Sequence, residues 1–174
     1  MKLVRQDGYT IIELLVSMAI LGAVMGAVTV LFVQASTAEI DLQNRFQAQQ
    51  NARLALDKLR RETHCANQAS VATTSSVTLT LGSYCPTGNG SVTWCTVGSG
   101  SRYGLYRKAG ATCDASGVKW ADYVTTGAVF GYTAQSASSL AKLRVDLPIN
   151  VKPSKSVQAY ELVDEIVLRN STRI

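Results

Sequence analysis

The sequence predicts an α+β fold: a long N-terminal α-helix, transmembrane in its first half, whose second half packs on an antiparallel β-sheet head. Three observations predict it. Leu14–Val33 is a run of twenty residues without a charge, a length that suits a bilayer-spanning helix. From Tyr9 to Glu62 there is no Pro, and the only glycines are Gly22 and Gly26, so nothing forces the helix to end where the apolar run ends. After that, short stretches alternate apolar and polar residues at the period of two that marks half-buried strands.

The apolar run contains only Ser17 and Thr29 as hydroxyl side chains. A secretory signal peptide has a shorter apolar region, about 7–15 residues, and ends at a small-residue cleavage site. Here the run is longer and passes without a loop signal into Gln34–Glu62, rich in Ala, Gln, Leu, Arg, Glu and Lys, all good helix formers. A continuous helix over residues 9–62 would be roughly 80 Å long. In its distal half Ala52, Ala55, Leu56, Leu59 and Thr63 recur at three and four residues, with Arg53, Asp57, Lys58, Arg60 and Arg61 outside the stripe. That stripe can pack on a sheet, whereas the proximal half is apolar all round and needs lipid or other helices.

Lys2 and Arg5 precede the apolar run, and by the positive-inside rule the leader 1–8 is expected in the cytoplasm. The span is expected at about residues 11–33 of a single-pass inner-membrane helix, with the head, residues 63–174, exported. Cys65, Cys85, Cys95 and Cys113 all follow the run, on the side where disulfides form. Their spacings of 20, 10 and 18 residues contain no metal knuckle. Disulfides are expected, with three connectivities open, and no metal or cofactor.

Val77, Leu79 and Leu81 alternate with Thr78 and Thr80, within a transition over residues 63–90 read as holding one strand. Cys85–Gly90 reads as a turn. Val92–Val97 and Arg102–Arg107 flank Gly98-Ser-Gly100, a hairpin pattern. Leu143, Val145, Leu147, Ile149 and Val151 make the cleanest alternation, and Pro148 places that strand at an edge or ends it. Residues 160–168 add a last strand.

Catalysis is not expected. His64, the only histidine, stands at the expected helix end without a nucleophile motif, and capping or solvating that end is the reading favoured for it. Asp164-Glu165 are strand neighbours on opposite faces, and Asp57 and Glu62 sit among Arg and Lys. The net charge is +5, and Arg102, Tyr103, Tyr106, Arg107 and Lys108, with Lys119 and Trp120 nearby, interleave cations and rings. That pattern suits phosphate contacts and base stacking. The reading preferred over it is a hairpin with inward aromatics and solubilising charges, which leaves nucleic acid the lesser partner.

Gly8-Tyr9-Thr10-Ile11-Ile12-Glu13, behind the basic leader and ahead of the apolar run, resembles the processing site of type IV prepilins. The resemblance implies that a prepilin peptidase cuts after Gly8 and N-methylates Tyr9, the new terminal residue. The family usually has Phe there; Tyr9 keeps the ring. A carboxylate at the edge of a lipid-exposed helix is expensive and calls for a partner. For Glu13, the fifth mature residue, the resemblance implies pairing with the terminal amine of a neighbouring subunit; the competing reading is reach to the headgroups. Gly22 and Gly26 form a G-x-x-x-G spacing that permits close helix approach. The Pro that many pilins carry in this region is absent.

Phe46–Glu62 resembles the helix of W-type minor pilins and J-type minor pseudopilins of type II secretion. The resemblance implies a filament subunit, a minor one that primes or caps; a pseudopilin and a DNA-binding competence pilin are the alternatives. The implied partners are prepilin peptidase, other pilin subunits through the N-terminal helix, the inner-membrane assembly platform, and the membrane before assembly.

Overall fold

The structure is a computed structural model that describes residues 8–153 and 159–171. The leader cations Lys2 and Arg5 lie outside the described residues. The chain divides into two compact units, residues 1–43 and 44–174, and one helix, α1 (Ile11–Cys65), enters both.

In the first unit α1 starts beside a threonine. Thr10 carries a hydroxyl that accepts from the Glu13 N–H at 3.4 Å, while its carbonyl accepts from the Glu13 and Leu14 N–H groups at 3.1 and 3.2 Å. Thr10 is thus the N-cap, and Thr10-Ile-Ile-Glu13 has the spacing of a capping box. From there the helix is long and apolar enough to cross a membrane, with none of its most apolar window buried. Ser17 and Thr29 donate their hydroxyls back to the carbonyls of Leu14 and Met25, which satisfies both without water.

Among the described residues the second unit is α1 from Asn44 onward and eight antiparallel strands: β1 (Ala66–Thr73), β2 (Ser76–Leu81), β3 (Gly90–Ser99), β4 (Arg102–Ala109), β5 (Val118–Val124), β6 (Phe130–Thr133), β7 (Lys142–Ile149) and β8 (Tyr160–Val167). They form one sheet in the order β1-β2-β3-β4-β5-β7-β6, with β8 on the other side of β7. The turn after β1 comes against β6, where the Thr74 carbonyl accepts from the Val129 and Phe130 N–H groups.

The expected helix stripe is the one that is buried: Ala52, Ala55, Leu56, Leu59 and Thr63, joined by Ala48 and Glu62. It packs with Val77, Leu79, Trp94, Leu105, Leu143, Val145 and Leu147 from the sheet in one core. Two arginines outside the stripe hold the helix to β8: Arg53 donates to the Tyr160 hydroxyl, and Arg60 to Asp164 at 2.8 Å. The helix runs three residues past Glu62, to Cys65. His64 donates from Nδ1 to the Val167 carbonyl, and Asn170 donates to the His64 carbonyl, both at 3.0 Å. The helix end is therefore tied to β8 through the His64 side chain and closed by the Asn170 side chain beyond that strand.

Three strands were not expected. β1 is dominated by small and polar residues, and β5 and β6 are short of clean alternation. They are held by register rather than by pattern: Ala69 stands opposite Leu79 and Tyr132 opposite Leu143. The hairpin is as expected, its strands turning through Gly100-Ser101 with Ser99 opposite Arg102. For Pro148 the structure selects one of two expectations. β7 is not an edge strand, since β8 pairs along its whole length, but it ends at Ile149, one residue beyond the proline. The Pro148 carbonyl accepts from the Thr125 N–H at 2.9 Å. Its ring nitrogen therefore faces the gap between β5 and β6, where a missing N–H leaves no ladder bond unmade.

Candidate assembly and processing site

Gly8 and Tyr9 precede the helix, and both are exposed. Their backbone is not helical, and helix begins two residues after Tyr9, at Ile11. A peptidase needs an accessible, non-helical bond, and the Gly8–Tyr9 bond is one. The Thr10 cap means that the helix start does not depend on anything N-terminal to the bond. This threonine escaped the sequence reading, although a threonine three residues before a glutamate at the head of an apolar run is a recognisable signal.

Glu13 stands in the first helical turn, where the helix dipole favours a negative charge. Around it the surface is apolar: Ile12, Val16 and Ile20 share an open concavity with it. Tyr9, Ile11, Leu14, Leu15, Met18 and Leu21 are all about half exposed or more. Gly22 and Gly26 meet nothing within 4 Å of an added Cβ. Within one chain, then, the two glycines leave a bare notch on a bare helix.

The head is stapled at two places. Cys65, the last residue of α1, is bonded to Cys85 in the loop after β2, and Cys95 of β3 to Cys113 in the β4–β5 connection. Of the three connectivities left open by sequence, this is the one formed.

The head also buries a group that the sequence reading placed only among Arg and Lys. Glu62 has no exposed side-chain surface, and its carboxylate accepts from Trp94 Nε1 at 2.8 Å, Arg107 Nε at 2.9 Å and Arg107 Nη2 at 2.8 Å. Lys58 Nζ stands 3.5 Å away. The stripe pattern extends to position 62 at three residues from Leu59, which was the available signal. A glutamate there was legible as buried only if its cation, 45 residues on in β4, had been paired with it.

This pairing turns Arg107 inward, away from any partner of the hairpin surface. The other residues of the cation–ring pattern are dispersed. Arg102 lies over the Tyr123 ring at 4.5 Å and 3.5 Å from Asp122; Lys108 bonds Asp114 at 2.8 Å. Tyr103 packs against the core, and Lys119 stands over Tyr106 at 5.7 Å and 3.2 Å from Asp122, while Trp120 packs on Trp94 with ring centroids 5.8 Å apart. The Lys108 ammonium, followed by the Ser116 hydroxyl and N–H, holds the Asp114 carboxyl down to about 2. Burial pushes Asp122 up, but the Tyr123 N–H, Lys119 and Arg102 outweigh it and leave that carboxyl below its ordinary value. In turn its hydrogen bonds raise Arg102 and Lys119. The acids named as strand neighbours are likewise engaged, Asp164 by Arg60 and Glu165 by Lys142.

No curated protein and no solved structure matches the chain. Residues 3–29 match the family described as the prokaryotic N-terminal methylation motif, a stretch that takes in Gly8, Tyr9, Glu13, Gly22 and Gly26. The motif implies processing by prepilin peptidase and assembly with other pilins and suggests a structural subunit, and the exposed apolar helix fits membrane anchoring before assembly. Over that segment the chain carries the N-terminal methylation motif, which is typical of type IV pilins.

Proposed function

We propose that the chain is a minor structural subunit of a type IV pilus or related filament, one that primes or caps it. The observation that carries the reading is the first turns of α1. An exposed, non-helical Gly8–Tyr9 bond is followed by a capped helix whose first carboxylate, Glu13, opens twenty uncharged and exposed residues. Cleavage after Gly8 creates a terminal amine at Tyr9. In an apolar filament core that amine and the Glu13 carboxylate of the next subunit would each be costly alone, and pairing removes both penalties. Gly22 and Gly26 supply the place where neighbouring helices approach. Before assembly the same helix anchors the chain in the inner membrane, leader inside and disulfide-bearing head outside, where the assembly platform engages it.

The likeness of Phe46–Glu62 to minor subunits supports the finer part of the reading. With Arg107 committed to Glu62 and both Arg102 and Lys108 beside carboxylates, the hairpin favours a solubilising surface over a DNA-binding one. The test is incorporation. Glu13→Ala should insert in the membrane at wild-type level yet be depleted from sheared filaments, and the wild-type chain should be far scarcer there than the main subunit. Normal incorporation of Glu13→Ala would overturn the pairing role; equal abundance would overturn the minor role.

A further inference from the structure

Between β1 and β6 the head carries a groove of about 250 Å³, just under the roughly 300 Å³ at which sites for drug-sized ligands begin. Its walls come from β1, β2, β6 and the segments that follow β6 and β8. Near Thr74 the two walls are joined, by the bonds from Val129 and Phe130 to the Thr74 carbonyl. From that closed end β1 runs back toward Asn67 while β6 runs on toward Gln135, and the groove opens between them.

Apart from Ala69 and Leu168, the lining is polar and uncharged. Asn67, Gln68 and Gln135 contribute amides, and Ser70, Thr78 and Thr80 contribute hydroxyls; Tyr132 adds a ring with a phenol. No described lining residue carries a formal charge, in a chain where 17% of residues are charged. Part of the wall is pre-set. Tyr132 donates to Gln135 Oε1 at 3.3 Å, Tyr84 donates to Asn67 Oδ1 at 2.6 Å, and the Ser171 hydroxyl donates to the carbonyl of the fully buried Leu168 at 2.9 Å. The side chains of Gln68, Ser70 and Thr80 make no hydrogen bond to another described residue.

We infer that this groove binds a neutral, polyhydroxylated ligand, a saccharide unit. Amides and hydroxyls each offer a donor and an acceptor, and a sugar hydroxyl is the ligand group that answers both at once. An anionic ligand would call for a cation that the described lining does not supply. An apolar one would strip water from eight hydrogen-bonding side chains and return nothing. An extended peptide would draw on the strand edges of β1 and β6, the outermost strands of the sheet order, and is the competitor that the test includes. The Tyr132 ring adds the flat apolar face on which the C–H side of a sugar ring packs. The inference rests on the head alone and stands or falls apart from the filament reading.

The test uses the full chain in a non-glycosidic detergent, with saturation-transfer NMR on glucose, galactose, mannose and N-acetylglucosamine, and with sialic acid and an uncharged tetrapeptide as competing probes. The expected result is transfer to at least one neutral sugar with millimolar affinity, weakened about fivefold or more in Gln68→Ala and Gln135→Ala, as loss of one hydrogen bond implies. Both positions line an open groove, and an unchanged thermal midpoint certifies the fold of each variant. Absence of transfer to every neutral sugar, preference for sialic acid or the peptide, or undiminished binding in both folded variants would each overturn the inference.

Discussion

Glu62 is the residue on which the head's interior is organised. A fully buried carboxylate is tolerated only when its charge and lone pairs are met, and Trp94 and Arg107 meet them. Glu62→Ala should destabilise the head by about 3 kcal/mol, since it strands the Arg107 guanidinium. The cost sits at the low end of the range because 19% of the Arg107 side chain still reaches water. Replacing Glu62 by Leu together with Arg107 by Met should come far closer to wild type, and urea midpoints of the two variants separate these cases. Asp114 gives a second, independent check. Its carboxyl is held at about 2 in the folded chain against an ordinary 3.8. The folded state is therefore favoured by this group above the unfolded value, and that contribution is lost as pH falls from 3.8 toward 2. NMR titration should place the Asp114 carboxyl well below an ordinary carboxylate, and Lys108→Ala should bring it back up. Single residues of this kind were the least legible in the sequence. Arg107 was read as a solubilising hairpin charge and Glu62 only as an acid among Arg and Lys, because a buried pair is recognisable only after a helix and a strand 45 residues apart have been brought together.

Elements were legible in proportion to their periodicity. The helical stripe Ala52, Ala55, Leu56, Leu59 and Thr63 is the buried face, and Leu59→Ala should cost about 2–5 kcal/mol as a core truncation. β7 has strict alternation and is buried at Leu143, Val145, Leu147 and Ile149. β1 has none. Its Asn67, Gln68 and Ser70 are partly or wholly exposed and its inward residues are small, so only pairing with β2 makes it a strand. The β3–β4 hairpin depends on one glycine for space. A Cβ on Gly98 would collide with the Arg102 carbonyl oxygen and lie 2.6 Å from Tyr103 Cα. Both obstacles are backbone, so Gly98→Ala should cost about 2 kcal/mol by overpacking, visible as a lowered thermal midpoint. The two disulfides close segments of 20 and 18 residues. Loss of either should cost about 3 kcal/mol in the chain-entropy account, and a Cys95→Ala/Cys113→Ala variant compared with wild type in denaturant reads that cost.

At the scale of the molecule, one sequence contains two solutions to the problem of burying apolar surface. The described residues of the second unit bury most of theirs internally, in a helix-on-sheet core with two disulfides. Residues 11–33 bury none within the chain, and such a helix must find lipid or other helices. The α+β class and this division were readable from charge, length and period alone, because an uncharged run of twenty residues and a three-four stripe are strong local signals. The groove between β1 and β6 was not, since its polar residues come from five separate segments and have no motif. In the proposed function, what turns an anchor into an assembly element is the short stretch from Gly8 to Glu13, and the event that defines it is cleavage before Tyr9. Intact-mass and N-terminal sequencing of the protein recovered from sheared filaments or membranes measures that event directly. The account predicts a chain that begins at Tyr9 with a methylated amine and a mass four hydrogens below the reduced value; a chain that still begins at Met1 in assembled material would contradict it.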